Sequence, residues 1–357
     1  MKRVLIIIII NLSLAAFKVN AQTIDYGSNI MDTLHTSQQV NHYIFSGDKG
    51  DVLTIRMRDV QNIDSHIKLY NEEGILLSED FSGGGLAEIK EYKLDTTGTF
   101  TLTAEDKNHN DIGVYGLSLH KLNNNTYADT LEHFISFTDS IETICGVNTY
   151  KFILDSGDVF FAQMRAESIH MEPSMRVYNE KGELIKISSR NGRTSTINSL
   201  TIDTSNVFTI VILDLGGNDI GEYGFTFNVL NRRSSLEELQ CGNHKTFELN
   251  TLIDRQVYRL KSPASTSFLI EARADTFTLE LGLEIYNENG ELIHQKIRSN
   301  KMCSINLPPT AEERDYLVVL YDDHGNDFSE VQLQIQSFGS QSCHELLTCN
   351  NSSETID

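Results

Sequence analysis

Asp106, Asn110 and Asp111 gather side-chain oxygens on one short stretch. The same block returns as Asp214, Asn218 and Asp219, and again as Asp322, Asn326 and Asp327. Oxygen donors grouped on one loop suit Ca2+, which takes about 6–8 carboxylate and carbonyl ligands. Asp and Asn also build ordinary β-turns by bonding their own backbone. The block lacks the alternating ligand ladder and distal Glu of a dedicated calcium loop. Both readings stand, with Asp106, Asn110, Asp111, Asp214, Asn218 and Asp219 as the calcium candidates.

Two other residue types recur in step. Arg58, Arg165 and Arg273 fall on the polar side of a strand pattern, where a solvated side chain or an ion pair with a loop acid would suit them. Tyr70, Tyr178 and Tyr286 each precede a turn, placed either to close the core or to offer a stacking face to a glycan. The absence of tryptophan weighs against the glycan reading. Histidines do not recur: His66 is replaced by Ser174 and Gly282, and His109 by Gly217 and Gly325. His344-Glu345 lacks the second histidine of a zinc-protease helix. There is no nucleophile elbow, phosphate loop or dinucleotide fingerprint, so the chain reads as no enzyme, with Ca2+ as its sole cofactor candidate. Five cysteines, Cys145, Cys241, Cys303, Cys343 and Cys349, leave an odd thiol, and Cys343 with Cys349 is the candidate local bridge.

These residues recur because the chain repeats. Leu69-Tyr70-Asn71-Glu72-Glu73-Gly74 returns at Val177–Gly182 and at Ile285–Gly290, a spacing of 108 residues each time. The Asp-Asn-Asp blocks keep the same period. Leu53, Ile55 and Met57 alternate with Thr54, Arg56 and Arg58, the period-two pattern of a strand with one buried face. Short strand signals broken by Gly, Asn and Asp, with no amphipathic helix, predict antiparallel β-sandwiches. The expected domains are 22–124, 125–232 and 233–340, and 341–357 resembles the start of a fourth unit.

Residues 1–21 read as a cleaved signal peptide, with Lys2 and Arg3 ahead of an apolar run and Val19-Asn20-Ala21 at the cleavage site. That run is too short to span a membrane, so no span is expected in the mature chain. Export to the surface, the medium or the periplasm follows. The net charge of −21 argues against nucleic acid as a partner.

The ordered blocks resemble the bacterial pre-peptidase C-terminal domain family. They run Tyr43-Ile44-Phe45, Gly50-Asp51, Leu69 to Gly74, Gly98-Thr99-Phe100 and Asp106 to Leu117. The second repeat follows closely, with Asn206 in place of Gly98. The third has lost the Gly-Asp turn and carries Val331 where Tyr115 and Tyr223 stand. The resemblance implies tandem jelly-roll β-sandwiches and an accessory, non-catalytic role. The expected function is an extracellular binding or spacer array that meets a protein or polysaccharide. The alternatives are the front part of a larger secreted peptidase or adhesin, and a glycan-binding module.

Overall fold

The computed structural model describes residues 21–82, 85–242, 244–298 and 301–339. The expected leader apart from Ala21, the tail 341–357, and Cys343 with Cys349 lie outside the described residues. Among the described residues every regular element is a strand, and no helix is long and apolar enough to cross a membrane.

Six sheets fall into three pairs along the chain, and each pair packs as a jelly-roll-like sandwich. In the first domain one sheet orders Ala21–Thr23, Val40–Gly47, Gly98–Asp106, Ser65–Tyr70 and Leu76–Phe81; we term it the leading sheet. The trailing sheet orders Ser28–Leu34, Gly113–Lys121, Val52–Asp59 and Leu86–Lys93. In the second domain the leading sheet runs Asp129–Thr130, Val147–Leu154, Asn206–Asp214, Pro173–Tyr178 and Leu184–Ile187. Its trailing sheet runs Phe134–Ile141, Gly221–Val229, Val159–Ala166, Thr194–Thr201 and Ser189–Asn191. The third domain leads with Arg255–Ser262, Arg314–Asp322, Leu281–Tyr286 and Leu292–Arg298. It trails with His244–Leu249, Ser329–Gly339, Thr266–Ala274 and Met302–Leu307. Among the described residues pairing is antiparallel except for two short edge strands at Ala21–Thr23 and Asp129–Thr130 and a single bridge between Glu238 and Arg259 in the third domain.

The alternating side chains fill each core as the period-two pattern requires. Leu53, Ile55 and Met57 face the leading sheet and are fully buried. On the leading sheet Phe45 stacks on its cross-strand neighbour Phe100 at 5.5 Å, and the second domain repeats the pair as Phe152 on Phe208 at 5.6 Å. Apolar burial of this kind is the main stabilising term for each sandwich.

The opposite faces depart from the sequence pattern. Thr54 and Arg56, on the polar side of their strand, are buried as well. The cause is the next domain. The trailing sheet of the first domain packs on the leading sheet of the second, closing a separate apolar cluster of Val52, Leu122, Val147, Tyr178, Val211 and Leu213. The second and third domains meet in the same way, burying Val159, Phe161, Leu230, Tyr286, Leu317, Val319 and Tyr321.

Glycine permits this approach at one corresponding position in each junction. A Cβ on Gly116 would lie 1.9 Å from the Ile144 carbonyl oxygen, and one on Gly224 would lie 2.3 Å from that of Leu252. Only a residue without Cβ fits there. The join between domains is also tied to the preceding Gly-Asp turn. Asn123 Oδ1 accepts from Val52 N at 2.8 Å while its amide donates to Gly50 O at 3.0 Å. Asn231 does the same for Val159 N at 3.0 Å and Gly157 O at 2.8 Å.

Candidate functional site

The Asp-Asn-Asp blocks form one turn built three times. Asp106 Oδ2 accepts from the backbone of Asn110 at 2.9 Å and Asp111 at 3.3 Å, and its Oδ1 accepts from Asp64 N at 2.8 Å. Asp214 receives Asn218 N at 3.0 Å, Asp219 N at 3.3 Å and Glu172 N at 2.6 Å. Asp322 receives Asn326 N at 2.8 Å, Asp327 N at 3.2 Å and Glu280 N at 3.0 Å. Each leading aspartate is buried, with both oxygens bonded to backbone amides. Burial pushes the Asp214 and Asp322 carboxyls above their ordinary value, against the pull of those amides. The Asn of each block donates to the Asp that follows, at 2.8 Å for Asn110 to Asp111 and 2.7 Å for Asn218 to Asp219. In the first domain Asp64 joins Asp106 and Asp111 in a group close enough to share an ion. Glu280, Asp323 and His324 form a second such group, which the repeat pattern does not single out.

The aromatic motif residues also acquire a role the sequence does not display. Tyr43 and Tyr115 meet hydroxyl to hydroxyl at 2.5 Å, Tyr43 donates to Asp32 at 2.5 Å, and Asn41 donates to Tyr115 at 2.7 Å. The second domain repeats the network with Tyr150, Tyr223, Asp139 and Asn148. Val331 removes it from the third domain, where Phe247 packs on Tyr258 at 5.8 Å instead. Asp32 and Asp139 are the unforeseen members, and their shared place one strand before the first tyrosine is the signal that could have found them.

The recurring arginines and tyrosines divide by position in the stack. Arg273 is exposed, Arg165 is buried, and Arg58 is partly buried and donates to Gly216 O at 3.3 Å across the first junction. Its neighbour Arg56 is wholly buried and donates to Asp214 O at 3.0 Å and Leu215 O at 3.2 Å. Glu88 accepts from Arg176 of the second domain at 2.6 Å. Burial works to raise the Glu88 carboxyl, but the guanidiniums of Arg176 and Arg56 outweigh it and hold it below its ordinary value. At the second junction Arg255 lies between the rings of Phe161 and Tyr321, 4.3 and 4.2 Å from their centres, and pairs with Glu284. Tyr178 and Tyr286 are sealed into these junctions at 1% and 4% exposure, which removes them as glycan platforms; Tyr70 alone is half-buried.

Tyr70 lies on the leading sheet of the first domain, a face that no described domain covers. The strand register sets three rows across it: Val40, Glu105 and His66; His42, Thr103 and Lys68; Ile44, Thr101 and Tyr70. In the second domain the corresponding rows are Val147, Leu213 and Ser174; Thr149, Val211 and Arg176; Lys151, Thr209 and Tyr178. A depression of about 440 Å3 opens between Val40, His42, Tyr70, Thr101, Thr103 and Glu105. Glu105 is buried, pairs with Lys68, and lies 3.1 Å from His66 Nδ1. His66 Nε2 reaches Glu79 at 2.9 Å. Burial pushes both His42 and His66 below their ordinary value, which keeps the imidazoles neutral near pH 7.

Cys145 is a buried thiol at the first junction, pushed up to about 12 by burial. Cys241 is disulfide-bonded.

No family model matches the chain, and no curated protein matches it. Among solved structures it is similar to the pre-peptidase C-terminal domain of a collagenase from Bacillus anthracis. The identity is 20%, over 28% of this chain and 93% of that one, with a TM-score of 0.25. It is also similar to the M60 catalytic domain with two CBM51 domains of Clostridium perfringens ZmpB. There the identity is 11%, over 84% of this chain and 33% of that one, with a TM-score of 0.19. A triple jelly roll protein of an archaeal virus turret matches at 9% identity, over 86% of this chain and 84% of that one, with a TM-score of 0.18.

Proposed function

We propose that the chain is a non-catalytic, exported array whose three sandwiches form one stiff stack that carries a binding surface away from its point of attachment. The observation that carries this reading is the pair of matched junctions. Each places a glycine against a facing carbonyl, buries an arginine with a glutamate, and seals a tyrosine that would otherwise be exposed. Domains joined only by a linker move independently by default, whereas a large apolar interface holds them in register. In this setting Ca2+ at the Asp-Asn-Asp turns would be an accessory to folding rather than a cofactor of any reaction.

Small-angle X-ray scattering of the full chain tests the stack. The expected curve fits a single elongated conformer, and Gly116→Val broadens it into an ensemble by forcing the first junction apart. A wild-type curve that only a flexible ensemble can fit would overturn the stack. Peptidase or glycosidase turnover that a point mutation abolishes would overturn the non-catalytic part.

A second reading, that the array is a polysaccharide-binding module, is favoured by the open depression beside Tyr70. A third, that it is the accessory part of a larger peptidase or adhesin, is compatible with the same stack.

A further inference from the structure

The second and third domains bury the leading face against a neighbour, whereas no described residue outside the first domain covers that of the first. The side chains have changed in kind. The row Thr149, Val211 and Arg176 becomes His42, Thr103 and Lys68, and the row Val147, Leu213 and Ser174 becomes Val40, Glu105 and His66. In the third domain the same rows are Val257, Val319 and Glu284, and Arg255, Tyr321 and Gly282. On the central strand the apolar Val211 and Leu213 of the second domain are Thr103 and Glu105 in the first, and the flanking Thr149 and Ser174 are His42 and His66.

The face is also assembled internally. Lys68 pairs with the buried Glu105, and His66 beside it is bonded through Nε2 to Glu79. Thr103 is 4% exposed, and its hydroxyl makes no hydrogen bond among the described residues although it lines the depression. A buried hydroxyl without a partner costs free energy unless something supplies one. Tyr70, half-buried at the edge of the same depression, offers a ring face and a polar tip.

The ligand chemistry follows by elimination on charge. Lys68 is spent on Glu105, so the floor has no unpaired cation for a phosphate or sulfate, and the acidic chain repels anions. Glu105 is neutralised in turn, and Glu72, the other carboxylate of the depression, is exposed to solvent, where water and salt screen its pull on a cation. A floor of threonine hydroxyls, imidazole and carboxylate is too polar for an aliphatic ligand. What remains is a neutral molecule rich in hydroxyls with one apolar face. We propose that the leading face of the first domain is a saccharide-binding site, with Tyr70 as the stacking ring and Thr103, Glu105 and His42 as the groups that meet ring hydroxyls. The proposal rests on the polysaccharide-module reading and narrows it to one domain.

Affinity electrophoresis of the full chain through gels carrying a soluble β-glucan, α-mannan or galactan tests it, with a neutral oligosaccharide array alongside. At least one probe should retain the protein. Tyr70→Ala should weaken that retention about tenfold or more, and Thr103→Val, which keeps the side-chain shape and removes the hydroxyl, by about threefold or more. Leu184→Ser, on an exposed edge of the second domain, should leave it unchanged. Retention by none of the probes overturns the proposal. So does retention that both site variants leave intact, or binding of poly-lysine that Glu105→Gln removes. Scattering curves of the same variants separate this outcome from the fate of the stack, because Tyr70→Ala and Thr103→Val leave both junctions untouched.

Discussion

Asp214 shows how a motif that suggests a metal can be consumed by the backbone. Its carboxylate accepts from the amides of Glu172, Asn218 and Asp219, so replacing it leaves three buried donors without an acceptor. Unmet donors of this kind cost about 1–3 kcal/mol each at most, and partial exposure on relaxation reduces the sum. Asp214→Ala should therefore destabilise the second domain by about 3 kcal/mol, and Asp214→Asn by less, since the amide keeps one acceptor. Urea denaturation followed by far-ultraviolet circular dichroism reads the difference. The same geometry makes a statement about calcium. A cation at Asp106 would have to share oxygens already bonded to three amides, with Asp64 and Asp111 as its other ligands. The turn reading predicts a melting temperature that about 1 mM Ca2+ and excess chelator leave alike; a ligand-stabilised loop would melt several degrees higher with the ion. A clear rise with Ca2+ would return these residues to the metal-site reading.

At the scale of the strand, the inward faces were legible and the outward ones were not. Alternation in Val52–Asp59 named Leu53, Ile55 and Met57 as core, and they are. It also named Thr54 and Arg56 as a polar face, yet both are buried, because periodicity within one strand carries no information about a second domain that docks on it. The Tyr-Asn-Glu-x-Gly block was equally visible as a turn, but the burial of Tyr178 and Tyr286 depends on the neighbouring domain and could not be read from the block. His120 on Gly113–Lys121 belongs to this hidden set. It is wholly buried at the first junction, where it contacts Asn29 Oδ1 at 3.0 Å. Asn29 in turn clamps Val147 of the second domain through bonds of 2.9 Å to its N and O. Burial, aided by the Arg56 charge, pushes the His120 imidazole down to about 3. The folded chain thus keeps it neutral while the unfolded chain protonates it near its ordinary value of about 6.5. Its contribution is whole above pH ~6.5 and is lost as pH falls from there towards 3, by about 2 kcal/mol at pH 5. The second junction has Asn228 at the corresponding place, which does not titrate. His120→Asn should accordingly flatten the loss of melting temperature between pH 7 and pH 5, as differential scanning fluorimetry would record. An unaltered slope would assign the acid sensitivity to other groups, His66 and His42 first.

Across the whole molecule, the two ends of the stack differ from its middle in opposite ways. The leading face of the first domain exchanges apolar junction residues for an organised polar depression. The trailing face of the third domain exchanges the small and polar residues of the junction faces for glutamine. Gly116 and Gly224 become Gln332, Ser118 and Thr226 become Gln334, and His120 and Asn228 become Gln336, all partly or fully exposed. Without the glycine, a further sandwich could not approach that face as closely as the second and third domains approach theirs. Among the described residues stacking energy lies in two junctions, and their stability should behave as intrinsic domain terms plus two nearest-neighbour terms. Calorimetry can separate them. The wild-type chain should melt with its domains coupled. Gly224→Val forces a side chain against the Leu252 carbonyl and loosens the contacts around Arg255, so the third domain should melt apart from the first two and at lower temperature. Gly116→Val should detach the first domain instead and leave the other pair coupled. If both variants lowered a single transition without splitting it, the chain would be one cooperative body, and the junctions would not be separable units of its stability.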